Sequence, residues 1–109
     1  MNWLSNLFPG GNPPESVEWN GDALILDVRS PGEFARGHVD GALNLPLDGF
    51  AQAYQGAGPD KSRQIIVYCQ SGGRSGQAMR ILKQQGYDNV INGGSVSAVA
   101  QRVKRSIVR

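Results

Sequence analysis

One strand–loop–helix unit constrains the fold of this sequence more than any other feature. The apolar residues 65–68 lead into Cys69, a short loop with two glycines follows, and residues 75–85 form a helix-like segment that Gly86 ends. A short apolar run bounded by turn signals is typical of a buried strand in a parallel sheet. Backbone N–H groups of the loop and the helix N-terminus would then face the cysteine, which lowers the pKa of a thiol. The unit therefore predicts Cys69 as a thiolate nucleophile at the end of a central strand.

Strand-like and helix-like segments alternate along the rest of the chain. Apolar runs cover residues 23–28, 42–46, 65–68 and 89–92, and helix-like segments cover residues 31–37, 47–54, 75–85 and the stretch after Ser95. Ser30, Pro31 and Glu33 have the spacing of an N-cap, a first helical residue and a capping-box partner, and Gly93-Gly94 is predicted to form a turn. The alternation predicts an α/β fold. We expect a three-layer sandwich with a central parallel sheet of four or five strands and helices on both faces.

Composition and charge limit the possible functions. The 109 residues, 39% hydrophobic and 18% charged, indicate one folded domain. Residues 1–14 are predicted to form an arm that ends in a Gly/Pro breaker, and residues 15–109 a single domain. The lone cysteine excludes an internal disulfide and predicts no metal cluster. A net charge of +2 gives no basis for nucleic-acid binding and suits a small anionic substrate.

Location follows from the same data. No apolar stretch is long enough to span a bilayer, and the N-terminus lacks the basic and apolar segments of a secretory signal. We expect a cytoplasmic protein that is a monomer or a weak dimer, with export as the alternative if a signal has been removed from the sequence.

Three stretches together resemble one known family. The sequences LDVRSPGEF at residues 26–34 and GHVDGALNLP at residues 37–46 resemble the N-terminal signature of rhodanese domains, and YCQSGGRS at residues 68–75 resembles their persulfide-forming loop. The run RSGQA at residues 74–78, and the absence of tryptophan after Gly94, are most similar to the small, phage-shock-type single-domain thiosulfate sulfurtransferases.

The resemblance implies a fold and a reaction. The fold is the rhodanese-like three-layer sandwich. In the reaction the Cys69 thiolate attacks the sulfane sulfur of thiosulfate, releases sulfite and carries a persulfide, which cyanide or a thiol such as thioredoxin or glutathione removes. No cofactor is implied. Larger two-domain members bind thiosulfate with an arginine near the position of Glu33, so anion binding in this chain would fall mainly to Arg74 and the loop amides.

The predicted site has two parts around Cys69. The substrate-binding loop consists of Gln70, Ser71, Gly72, Gly73, Arg74 and Ser75. The pocket wall and its supports consist of Asp27, Arg29, Glu33 and His38. The spacing of Arg29 and Glu33 suits a local ion pair, and the resemblance gives His38 a structural hydrogen-bonding role. Thiolate activation then depends on the loop and the helix rather than on a histidine base.

Two other functions stay open at this point. Cysteine phosphatases and arsenate reductases on the related fold have a longer loop between cysteine and arginine, whereas only four residues separate Cys69 from Arg74. That smaller loop favours one added sulfur atom over a phosphoryl group. A non-enzymatic module for sulfur carrying, redox sensing or protein binding is the second alternative.

Overall fold

The computed structural model describes residues 18–109. The predicted arm, residues 1–14, lies outside the described residues, so its boundary with the domain stays a prediction. The described elements, in chain order, are β1 (Leu24–Asp27), α1 (Pro31–Arg36), β2 (His38–Val39), β3 (Leu43–Asn44), α2 (Phe50–Ala53) with a following 3-10 turn (Tyr54–Ala57), β4 (Ile65–Cys69), α3 (Gly73–Gln84), β5 (Val90–Ser95), α4 (Val96–Val103) and β6 (Ile107–Val108).

The core of the domain is a parallel sheet of four strands in the order β3-β1-β4-β5. Alternate side chains of each strand point to opposite faces of a sheet, so the strands bury apolar residues on both sides. One face packs against α3 through Ala78 and Leu82 and against Phe50 of α2. The other face packs against Val99 and Ala100 of α4. The predicted three-layer α/β fold is therefore confirmed.

The predicted strand at residues 42–46 is shorter in the structure. Only Leu43–Asn44 form β3. After it, the Leu45 N–H donates to the carbonyl of Asp27 and the Leu47 N–H donates to the carbonyl of Val28. Pro46, between them, has no N–H and cannot donate. The predicted helix at 47–54 begins at Phe50 and ends in the 3-10 turn. A small antiparallel ladder between β2 and β6, which the sequence analysis does not predict, joins the C-terminal residues to the domain.

The predicted Gly93-Gly94 turn is wrong, because both glycines lie within β5. Val67 pairs with Asn92 and Tyr68 pairs with Gly94, so Gly93 is the extra residue of a β-bulge. A Cβ atom at Gly93 would lie 2.5 Å from Cγ2 of Val99. A glycine is therefore required at position 93 for α4 to pack closely on the sheet. The Gly-Gly sequence that resembles a turn is explained by this close packing.

Candidate active site

Cys69 is the last residue of β4, at the carboxyl end of a central strand. The chain then turns through Gly72, whose φ of 100° lies in the left-handed region, and α3 begins at the next residue. This turn brings the Gly72 N–H to 3.0 Å from the Cys69 sulfur. The Ser75 hydroxyl oxygen, in the first turn of α3, lies 3.4 Å from the same atom. The predicted inward orientation of the loop is thus present at the sulfur.

These contacts change the acidity of the thiol. Burial acts to raise the pKa of Cys69, but hydrogen bonds from the Ser75 hydroxyl and from the backbone of Ser75, Ser71 and Gly72 outweigh it and lower the pKa from its ordinary value. Such hydrogen bonds favour the thiolate without a neighbouring base. Cys69 is only 1% exposed, so the sulfur is enclosed by the loop and the sheet.

Asn92 supports the cysteine loop, and sequence reasoning missed it. Its side-chain N–H donates to the carbonyl of Gly72 at 3.0 Å, and its Oδ1 accepts the Ser75 hydroxyl at 2.7 Å and the Gly94 N–H at 3.1 Å. The residue is 5% exposed. A polar side chain directly after the apolar residues Val90 and Ile91 was the available signal, because such a group is buried only with partners.

Arg74 is engaged by Glu33. Its Nη1 and Nη2 donate to the two carboxylate oxygens of Glu33 at 2.8 and 3.0 Å, which is a bidentate pair. The hydrogen bond from Arg74 lowers the pKa of Glu33 to about 2. Glu33 also accepts from the backbone and hydroxyl of Ser30 in the predicted capping box. The predicted ion pair of Arg29 with Glu33 is wrong, because Arg74 takes that place.

Arg29 instead forms a buried ion pair with Asp27. The two side chains are 6% and 0% exposed, and Nη2 of Arg29 lies 2.7 Å from Oδ2 of Asp27. Arg29 also donates to the carbonyl of Gly37 at 2.6 Å, and the side chain of Asn44 donates to the carbonyls of Asp27 and Arg29. These bonds hold the turn after β1 in place.

His38 lies in β2 and contacts α1. Its Nδ1 donates to the carbonyl of Phe34 at 2.8 Å, and its ring stacks on that of Phe34 with centroids 3.6 Å apart. These contacts hold the imidazole ring against α1.

Among residues 18–109, no group of three or more His, Cys, Asp or Glu side chains is arranged to hold a metal ion. No helix in the same range is long and apolar enough to cross a membrane.

The fold and the site together define an α/β domain built around one hydrogen-bonded cysteine. Residues 15–100 match the family of rhodanese-like domains. The chain is 41% identical to the thiosulfate sulfurtransferase PspE of Escherichia coli, over 69% of this chain and 72% of the relative. It is also 41% identical to a sulfurtransferase of Allochromatium vinosum, over 65% of this chain and 64% of that one.

A solved structure gives the same result. A rhodanese with anions from E. coli superposes with a TM-score of 0.67 at 40% identity, and the match covers 72% of this chain and 92% of that one. The chain therefore belongs to the rhodanese-like domain family.

Proposed function

We propose that this protein is a sulfurtransferase that moves sulfane sulfur from thiosulfate, or from another donor, through a persulfide on Cys69. The thiolate attacks the outer sulfur of thiosulfate, an S–S bond forms at Cys69, and the S–S bond of the donor breaks. Its electron pair leaves with sulfite. Cyanide or a thiolate then attacks the outer persulfide sulfur, and Cys69 leaves as thiolate. Neither step requires an external oxidant or reductant.

The observation that carries the proposal is the setting of the Cys69 sulfur. The Gly72 N–H at 3.0 Å and the Ser75 hydroxyl at 3.4 Å are hydrogen-bonding groups around a buried sulfur, where such bonds are stronger than in water. Donors fixed before reaction stabilise charge that develops during it. The same groups that favour the thiolate also favour a persulfide anion, which the reaction must form. Relatives that bear the name thiosulfate sulfurtransferase support this assignment.

The proposal assigns a separate role to each residue of the site. Cys69 is the nucleophile. The backbone from Gln70 to Ser75 binds the donor and the persulfide, supported by the amide contacts of Ser71, Gly72 and Ser75. Asp27 and Arg29 act as structural supports through their ion pair, and His38 acts as one through its bond to Phe34.

The partners and the location are part of the same proposal. A thiol such as thioredoxin or glutathione, or cyanide, accepts the sulfur. A cysteine that works as a thiolate must stay reduced, which supports a cytoplasmic location. We propose that the protein is a monomer or a weak dimer.

The test is the formation of thiocyanate from thiosulfate and cyanide by wild type, Cys69→Ser and the control Ser106→Ala. Ser106 is exposed and lies near the C-terminus, outside the cysteine loop, so its alanine variant should keep the activity. The serine variant should lose it, because a hydroxyl is far less acidic than a thiol.

The same assay separates the alternatives. Thiocyanate production by Cys69→Ser at the wild-type rate would refute the proposal. An inactive wild type that still binds a partner protein would favour the non-enzymatic module. Rapid hydrolysis of p-nitrophenyl phosphate by wild type would favour a phosphatase.

A further inference from the structure

The guanidinium of Arg74 is already paired with a carboxylate. Glu33 accepts from Nη1 and Nη2 in a fork-to-fork pair, and the same pair raises the pKa of Arg74. Both side chains are partly exposed, at 37% for Arg74 and 27% for Glu33. A small anion arriving at Arg74 must therefore displace a charged partner or bind beside it. Arg74 in this state offers little net positive charge to a substrate.

Glu33 is itself held in place. Its Oε1 accepts from the Ser30 N–H at 3.1 Å and from the Ser30 hydroxyl at 3.0 Å. Those bonds belong to the capping box that begins α1, so moving the carboxylate away would also expose the end of that helix. An anion that displaces Glu33 from Arg74 would therefore also disturb the capping box of α1.

A cavity lies beside this pair. It has a volume of about 620 Å³, and Arg74 lines it together with Val28, Ser30, Pro31, Pro46, Leu47 and Asp48. The cavity adjoins the cysteine strand, because the Val28 N–H donates to the carbonyl of Tyr68, the residue before Cys69. Four of its seven lining residues, Val28, Pro31, Pro46 and Leu47, are apolar, and Asp48 contributes a carboxylate. Apolar walls with neutralised or negative charge are poorly matched to a small dianion.

We propose that Glu33 determines donor specificity by occupying Arg74, so that the site favours organic sulfane-sulfur donors with an apolar group and at most one negative charge over the thiosulfate dianion. The proposal rests on the proposed function, since it concerns the donor of the same reaction. For an organic thiosulfonate the Cys69 thiolate takes the outer sulfur, the donor S–S bond breaks, and the electron pair leaves with the sulfinate. The apolar group of the donor fits the cavity walls.

The test uses three donors that differ in charge and in apolar surface. These are thiosulfate, with two negative charges, and methanethiosulfonate and benzenethiosulfonate, with one each. The rate of persulfide formation on Cys69 is measured for wild type, for Glu33→Gln, and for the control Glu18→Gln, which removes the same charge at an exposed position. Wild type should have a higher kcat/KM for benzenethiosulfonate than for thiosulfate.

Glu33→Gln should change kcat/KM by a different factor for each donor. The amide keeps an oxygen for the Ser30 bonds but releases the charge of Arg74, and removing a carboxylate from a binding cleft should raise kcat/KM for thiosulfate about tenfold, mainly through KM. Electrostatic energy is proportional to the charge of the ligand, so a monoanion should gain half the free energy that thiosulfate gains. Its kcat/KM should therefore rise by the square root of the factor for thiosulfate, about threefold. Adding Arg74→Met to Glu33→Gln should remove the gain.

Several results would overturn the inference. One is an equal change for all three donors, which would show a structural effect only. Another is the same gain in Glu18→Gln, which would show an effect of total charge. An unchanged KM for thiosulfate in a Glu33→Gln protein with a native circular dichroism spectrum would also refute it. Failure of wild type to take sulfur from any donor would instead refute the proposed function, on which this inference rests.

Discussion

Replacing Asn92 by leucine tests whether the cysteine loop is held by β5. Leucine has a similar size, so the change removes hydrogen bonds without opening a large cavity. The Gly72 carbonyl keeps its bond from the N–H of Gly76 at 2.9 Å, and the Ser75 hydroxyl can turn toward Cys69. The Gly94 N–H, in the interior of β5, loses its bond to Oδ1.

The expected loss of stability follows from this inventory. A buried donor left without a partner costs about 1–3 kcal/mol, and the lost bond to Gly72 adds about 1 kcal/mol. We therefore expect Asn92→Leu to lower the free energy of unfolding by about 2–4 kcal/mol, which is a large share of the 5–15 kcal/mol typical of a domain. Urea unfolding should show a lower midpoint with an unchanged slope. Asn89→Leu is the control, because the side chain of Asn89 makes a long, exposed bond of 3.4 Å to the carbonyl of Ser62, and the variant should stay within about 0.5 kcal/mol of wild type.

The same variant has a second readout at the sulfur. Ser75 has one hydroxyl proton, which it shares between Asn92 Oδ1 at 2.7 Å and the Cys69 sulfur at 3.4 Å. Without Asn92 the proton is directed at the thiolate alone, so the pKa of Cys69 should fall further. The measurement is the pH dependence of iodoacetamide alkylation. An Asn92→Leu protein as stable as wild type, or one with a higher Cys69 pKa, would refute the reasoning.

Two further predictions concern the thiol and its supports. Ser75→Ala removes a hydrogen bond that lowers the pKa of Cys69, so alkylation, which needs the thiolate, should begin at higher pH than in wild type, and an unchanged profile would count against this role. Arg29→Met leaves the fully buried Asp27 without its counter-ion and should cost about 3–5 kcal/mol, measured by urea unfolding. Asp27→Asn in the Arg29→Met background should recover part of that loss, and no recovery would show that the charge is not the cause.

Local signals predicted much of the fold. The apolar runs before Asp27 and Cys69 identified central strands, because strands buried on both faces need continuous apolar sequence. The Ser30 and Glu33 capping box fixed the start of α1 within one turn. Gly93 was misassigned because a glycine needed for close packing and a glycine needed for a turn look the same in sequence. The contact with Val99 that decides between them is made across the sheet.

The parts of the site that were missed depend on distant pairings. Glu33 and Arg74 are 41 residues apart, whereas Arg29 is near Glu33 in sequence and was the obvious partner. Arg29 is instead drawn into the domain by Asp27, because two charges that are buried together must pair. Asn92 reaches the loop only after the sheet forms. Contacts between residues that are far apart in the sequence cannot be predicted from local spacing. The position of Cys69 at the end of a strand can be, because it depends only on neighbouring residues.

The measurement that tests the central claim most directly is the mass of the Cys69 peptide after treatment with thiosulfate. The protein is reduced, exposed to thiosulfate, digested without reductant and analysed by mass spectrometry, before and after cyanide. We predict that the peptide containing Cys69 gains the mass of one sulfur atom, that cyanide removes it with release of thiocyanate, and that Cys69→Ser gains nothing. An unmodified Cys69 peptide in wild type under these conditions, or a sulfur atom on another residue, would contradict the account.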